Sequence, residues 1–355
     1  MATTQTIDEA KLNQFLGQVV GDLAGYSGIV MAYFGDRLGL YRALAEGGPA
    51  TSDELADRTG THERYIREWL VSQAAGGYVE YDGATERYTL PAEQAVALTD
   101  EDSPAFVGGA FQVLLSSAPS LPRLLDNVRT GKGMGWGEHA PDLFEGTERF
   151  FKPGYVGNLV QAWIPALDGV QVKLEAGASV ADVGCGHGAS TIVMAKAFPS
   201  SRFVGYDVHE PSIERAREAA AEAGVSDRTT FEVADSASFP KGDFDLIAFF
   251  DCLHDMADPE RAASRAFDAL AADGTVLMVE PMAGRTVEEN FNPVGRLYSS
   301  ASVLICTQNA IAGGGTGLGT IASDAALATV FERAGFTRFR RATETPFNRI
   351  FEARK

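Results

Sequence analysis

The stretch ADVGCGHGAS, residues 181–190, decides the fold of this chain. An apolar run enters it and a helical pattern leaves it, so it reads as the turn joining a buried strand to a helix. Gly184, Gly186 and Gly188 let the backbone turn tightly and approach a ligand without a Cβ in the way. The helix that follows presents free N–H groups at its start, a ready site for an anionic group. Gly184, Gly186 and Ala189 also satisfy G-x-G-x-x-A, a weak signal for a dinucleotide when it stands alone. Asp182 opposes that reading. A carboxylate two residues before the first glycine repels a pyrophosphate and suits a ligand with an ammonium group.

Around this loop the sequence alternates strand and helix. SVADVG, RFVGYD, TTFEVAD, FDLIAFF and TVLMVEP are short apolar runs of the kind buried in a parallel sheet. Helical segments at 189–198, 211–223 and 259–271 separate them. This alternation implies an α/β fold, a Rossmann-like doubly wound sheet with right-handed crossovers. The last two strands, TRFRR and RIFEA, have only ATETPFN between them, too short for a helical crossover, so they pair antiparallel at one edge. Residues 283–322 are an insertion, and their glycine-rich end, AGGGTGLGT, suggests a flexible cap.

The N-terminal part has a different texture. Thr51 or Ser52 can cap a helix that begins with acids, a turn at Gly60 leads to the helix ERYIREWLVSQAA, and YVEYDGATERYTL alternates about an Asp82-Gly83 turn as a hairpin does. This is a mainly helical winged-helix domain. Residues 51–82 hold three arginines (58, 64 and 67) against seven acids, the wrong sign for a helix lying among phosphates. The domain is expected to join two chains rather than bind nucleic acid. The expected division is 1–98 for the N-terminal helices and winged helix, 99–170 for an aromatic-rich helical connector to the substrate pocket, and 171–355 for the sheet domain.

Composition bounds the rest. The 355 residues carry a formal charge of −18, which argues against a broad phosphate-binding surface. The first fifteen residues lack the basic and apolar segments of a signal peptide, and no run of about twenty apolar residues suggests a membrane span. Three scattered cysteines form neither a disulfide framework nor a zinc pattern. The expectation is a cytoplasmic protein without a metal site or a membrane partner.

Acids recur at successive strand ends. Asp207 closes the second strand, where a carboxylate can accept both hydroxyls of a ribose. Asp235 and Ser236 follow the third and can face an adenine amine. Three such acids suit an adenosine that carries an amino acid better than they suit a dinucleotide.

On VADVGCGHG, the YD at 206–207, the VADS at 233–236 and FDLIAFFDCLHD, the chain resembles the class I S-adenosylmethionine-dependent methyltransferases. With the winged helix added, it looks like a bacterial branch of the small-molecule O-methyltransferases. The resemblance implies S-adenosylmethionine as methyl donor and a homodimer acting on a small-molecule acceptor. It implies Asp182, Gly184, Gly186, Gly188, Asp207, Asp235, Ser236 and Phe250 as donor-binding residues. It also implies His254, in LHDM, as general base, with Glu280, in MVEP, to orient it. Met256 replaces the family's tryptophan, and the family's third acid has no counterpart in GTGLGTIASD. Two other readings stand beside this one: a ligand-sensing regulator with a degenerate methyltransferase domain, and a dinucleotide-dependent oxidoreductase.

Overall fold

The structure is a computed structural model that describes residues 7–355, and it divides after Leu115 into two compact units. In the first unit, the long helix α1 (Glu9–Arg37) precedes α2 (Leu40–Gly47), α3 (Ser52–Thr59) and α4 (Glu63–Ala75). Thr51 caps α3 in a reciprocal capping box with Glu54. The wing is β1 (Glu80–Asp82) paired antiparallel with β2 (Arg87–Thr89), and Ala50 bridges to Tyr88 at its edge. α5 (Ala92–Thr99) and α6 (Gly108–Ser116) complete this part. Tyr41, Leu44, Leu55, Ile66, Trp69 and Leu70 form its core. This is the winged-helix domain that the capping residues and the hairpin turn imply.

α1 is the longest helix of this unit. With 29 residues and a window of mean hydropathy 1.2, it is long and apolar enough, by length and composition, to cross a membrane. The window is only 6% buried. Its apolar residues are interrupted by Gln14, Gln18, Asp22 and several glycines, which is why no continuous apolar run was visible in the sequence.

The second unit opens with α7 (Leu121–Thr130), α8 (Pro141–Asn158) and α9 (Val170–Ala176). It then alternates β3 (Ser179–Val183), α10 (Ala189–Ala197), β4 (Arg202–Asp207), α11 (Glu210–Glu222), β5 (Thr229–Val233), β6 (Phe244–Phe250), α12 (Pro259–Ala269) and β7 (Leu270–Pro281). α13 (Pro293–Ala301), α14 (Thr307–Ala312), α15 (Asp324–Arg333), β8 (Arg338–Glu344) and β9 (Asn348–Arg354) follow. The seven strands lie in the order β5-β4-β3-β6-β7-β9-β8. The first five are parallel, and β9 pairs antiparallel with both β7 and β8, as the short link between the last strands requires.

The pleat sends alternate residues to opposite cores. Val180, Leu246, Ala248 and Phe250 join one cluster; Ala181, Val183, Ile247 and Phe249 join the other. Both faces are covered, so these strands read as continuous apolar runs.

The insertion at 283–322 is more ordered than its glycines suggest. α13 runs through a π turn at Ser302–Cys306 into α14. The glycine-rich segment is then pinned, since Leu318 N and Gly319 N both donate to the His254 carbonyl at 3.0 Å. At Gly315 a Cβ would fall 1.8 Å from the Ala257 carbonyl oxygen, so glycine is needed there for close packing.

Candidate active site

A cavity opens at the C-terminal ends of β3, β4 and β6, where ligands of open parallel sheets bind. One wall is backbone. Gly184 and Cys185 donate their N–H groups to the Tyr206 carbonyl at 2.8 and 3.0 Å, which folds the glycine loop against the end of β4. Gly184 has φ 78, and a Cβ there would lie 2.8 Å from Cys252 Sγ, so the turn admits only glycine without a shift.

Asp207 locks the loop in place. Its Oδ2 accepts the Gly186 N–H and its Oδ1 the His209 N–H, both at 2.9 Å. Burial pushes its carboxyl above the ordinary range, and these two N–H donors pull the other way.

The opposite wall comes from α8. Phe144, Glu148, Phe151 and Tyr155 recur at spacings of four, three and four, so one face of the helix lines the cavity. Glu148 Oε2 lies 2.8 Å from His187 Nδ1, tying the helix to the glycine loop. Phe144 stacks on His209 at 4.3 Å between ring centroids, and Trp136 meets Phe144 edge-on at 5.6 Å. Asn309 of α14 accepts from Trp136 N and donates to the Asp255 carbonyl, both at 3.0 Å, closing this side with the cap.

Behind the turn after β6 lies a buried pair. His254 Nδ1 is 2.7 Å from Glu280 Oε2, and the His254 backbone N–H donates to Oε1 at 3.3 Å. Their side chains are 4% and 1% exposed. Burial alone would lower the imidazole pKa, but the Glu280 carboxylate outweighs it and holds the ring well above the ordinary histidine value.

Of the residues singled out in the sequence, Gly184, Gly186, Asp207, Ser236 and Phe250 line the cavity. Asp182, Gly188, Asp235, His254 and Glu280 do not. Asp182 is 1% exposed, and its Oδ2 accepts from the hydroxyls of Ser190 and Thr191, each at 2.6 Å. It thereby fixes the first turn of α10, while burial raises its pKa to about 6. Gly188 packs against Phe231, where a Cβ would come within 2.8 Å. Asp235 is exposed and its carboxylate caps its own turn at Ala237 N.

Asp255 and Met256 line the cavity where His254 does not. Burial raises the Asp255 pKa to about 7, with His254 pulling it down. Glu148, His187 and Asp251 are cavity residues that sequence reasoning gave no role in binding. In the sequence, Glu148 is marked only by its spacing from Phe144, Phe151 and Tyr155.

The strand order, the glycine loop and the carboxylate at the end of β4 together define a nucleoside-binding methyltransferase fold. The comparisons with known proteins agree. Residues 27–100 match the Rv2258c-like winged HTH domain, and residues 174–335 match a methyltransferase domain. Mitomycin biosynthesis 6-O-methyltransferase of Streptomyces lavendulae is 26% identical over 250 residues, 68% of this chain and 71% of that one. A putative O-methyltransferase of Nostoc punctiforme superposes with a TM-score of 0.72 at 21% identity, covering 99% of this chain and 100% of that chain. Human N-acetylserotonin methyltransferase, solved with S-adenosylmethionine, gives 0.70 at 18% identity, over 100% and 99% of the two chains. At such identities the structural likeness speaks for the fold.

The chain carries a winged HTH domain followed in sequence by a methyltransferase domain, and the proteins it is similar to include small-molecule O-methyltransferases. It is an enzyme that takes its methyl group from S-adenosylmethionine. The dinucleotide and regulator readings are not favoured by these matches.

Proposed function

We propose that the chain methylates a hydroxyl of a small, neutral, largely apolar molecule, with His254 as general base and Glu280 as the group that orients it. The observation that carries this reading is the buried 2.7 Å contact between His254 Nδ1 and Glu280 Oε2. With Nδ1–H donated to the carboxylate, the lone pair falls on the other ring nitrogen, which can accept a proton. In this reading the acceptor hydroxyl reaches that nitrogen past Asp255.

The cavity wall supports the acceptor class. Trp136, Phe144, Phe151 and Tyr155 offer flat apolar surface. Glu148, Asp207, Asp251 and Asp255 are its charged side chains, with no Lys or Arg among the described residues that line it, which disfavours an anionic acceptor. S-adenosylmethionine supplies an activated methyl, so the chain needs mainly to align the two reactants and remove a proton. Donor binding falls to the Gly184 and Gly186 backbone, Asp207 at the ribose and Ser236 near the adenine. The lone pairs that Asp207 keeps beyond its two backbone bonds can accept ribose hydroxyls.

His254→Ala should lower methyl transfer to a panel of phenolic acceptors by about 10²–10⁴-fold at saturating donor, the usual range for general acid–base catalysis. Unchanged affinity for S-adenosylhomocysteine would show that the variant is folded. Turnover within about threefold of the parent, far below that range, would overturn the assignment.

Two copies of the chain associate, in this reading, through α1. Leu12, Phe15, Leu16, Val20, Leu23 and Tyr26 recur at helical spacing and are between 43% and 64% exposed. An apolar stripe of this length on one helix marks an interaction surface. The three arginines of residues 51–82 support the exclusion of nucleic acid. Arg64 pairs with Glu68 at 2.6 Å, Arg67 with Glu63 at 2.8 Å, and Arg58 lies 4.0 Å from Glu54. Leu16→Asp with Val20→Asp should convert a dimer to a monomer in sedimentation. A wild-type monomer would remove this part of the proposal.

A further inference from the structure

Asp251 differs from the other carboxylates of the cavity. Glu148 has His187 as partner, and each oxygen of Asp207 has a backbone N–H. Asp251 follows β6 directly and adopts φ 51, a left-handed conformation uncommon outside glycine. Its N–H donates to the Val279 carbonyl at 2.8 Å, and Asn348 of β9 donates to Oδ1 at 2.8 Å. Its Oδ2 is buried and has no partner. Burial, reinforced by Glu280, pushes this carboxyl well above its ordinary range, which disfavours its anionic form until a cation lies beside it.

The sheet order indicates which part of the donor meets that oxygen. Ser236 follows β5, Asp207 ends β4, the glycine loop follows β3 and Asp251 follows β6, in the spatial sequence β5-β4-β3-β6. Adenine and ribose on the β5 and β4 side leave the sulfonium toward β3 and β6. This step rests on the placement of ribose at Asp207 proposed above.

We propose that Oδ2 of Asp251 is the counter-charge for the sulfonium, so that the enzyme distinguishes its donor from the demethylated product by charge. S-adenosylmethionine and S-adenosylhomocysteine differ by one methyl group and one positive charge. Contacts from Asp207 and the glycine loop hold both ligands alike, whereas a carboxylate at the sulfur favours the cation. Transfer of the methyl group removes that charge, leaves Oδ2 unpaired again and favours product release. The contact weakens as positive charge leaves the sulfur, so its loss should raise the donor KM more than it lowers kcat.

The test is calorimetric titration with S-adenosylmethionine, S-adenosylhomocysteine and sinefungin, which carries an ammonium-bearing carbon in place of the sulfonium. The wild type should bind the two cations about tenfold or more tighter than the neutral product, as expected for a charge-assisted contact. Asp251→Asn should lower the affinity for both cations by about tenfold and leave S-adenosylhomocysteine within about threefold. Should that variant fail to fold, Asp251→Ser takes its place, and the wild-type comparison stands by itself. Three wild-type affinities within about threefold of one another, below any charge-assisted contact, would overturn the proposal. An equal loss for all three ligands in the folded variant would do the same. Asp207→Ala separates the two readings, because it should weaken all three ligands together; no loss there refutes the ribose placement instead.

Discussion

The donor side and the acceptor side of the cavity are built from different materials. In the assignment proposed above, the donor side is made of the glycine-loop backbone and of carboxylates that end strands, placed by the register of β3 against β4. In the same assignment the acceptor side is made of side chains from α8, the turn after β6 and the cap, spread from Phe144 to Asn309. A donor shared by a whole family can be held by a short loop that admits few substitutions. An acceptor that differs among relatives is met by long helical segments whose side chains can change without disturbing the sheet.

The contrast breaks most sharply at Asp207. Asp207→Ala removes the carboxylate that holds Gly186 N and His209 N, so the glycine loop loosens along with any ribose contact. Donor affinity should fall by about a hundredfold, the loss of one or two charge-assisted hydrogen bonds. The acceptor KM should stay near its original value under saturating donor. An acceptor KM that rises in parallel would mean that the two sides are not separable.

Glu280 sharpens the acceptor side. The folded pKa of His254 is raised, so protonated His254 contributes stability that is fully present below the ordinary histidine value and lost as pH rises through the folded value. Catalysis has the opposite sign, since a base must be neutral. Activity should therefore rise across a pH window above about 6.5, the ordinary histidine value, while the His254 contribution to stability declines. Glu280→Gln should move the activity limb to lower pH and share most of the His254→Ala defect instead of adding to it. An activity profile unmoved by that substitution counts against the pair as the base.

Legibility in the sequence follows the same divide. The glycine loop, Asp207 and the strand alternation are local patterns, so the sheet and much of its donor wall could be read from short words such as ADVGCGHG and YD. Asp182 had the right residue type in the right place, yet the structure turns its carboxylate to Ser190 and Thr191. A side chain's direction depends on which hydroxyls the next helix brings within reach, and spacing along the strand does not state it. His254 shows the same limit, being held behind Asp255 and Cys252 by Glu280 from another strand. Asp251 carries its signal in φ and in an unpartnered oxygen, neither of which a sequence displays. The cap misled because its glycines look mobile one at a time. Their purpose at Gly315 is close approach to the Ala257 carbonyl.

The smallest effect should fall on Phe144, where the two sides touch. Its ring lies on the acceptor wall while stacking on His209, whose backbone N–H is held by Asp207. Phe144→Ala removes one flat surface and one aromatic pair, worth about 0.5–1.5 kcal/mol beyond the area buried. The acceptor KM should therefore rise about three- to tenfold, by the rule that 1.4 kcal/mol is a factor of ten. Donor affinity should hold, because Asp207 keeps His209 N in place without the ring. Phe144→Leu should recover only part of the loss, since it restores bulk but not a face for stacking. If Phe144→Ala instead weakens S-adenosylhomocysteine as much as the acceptor, the ring belongs to the donor side, and the division at His209 must be redrawn.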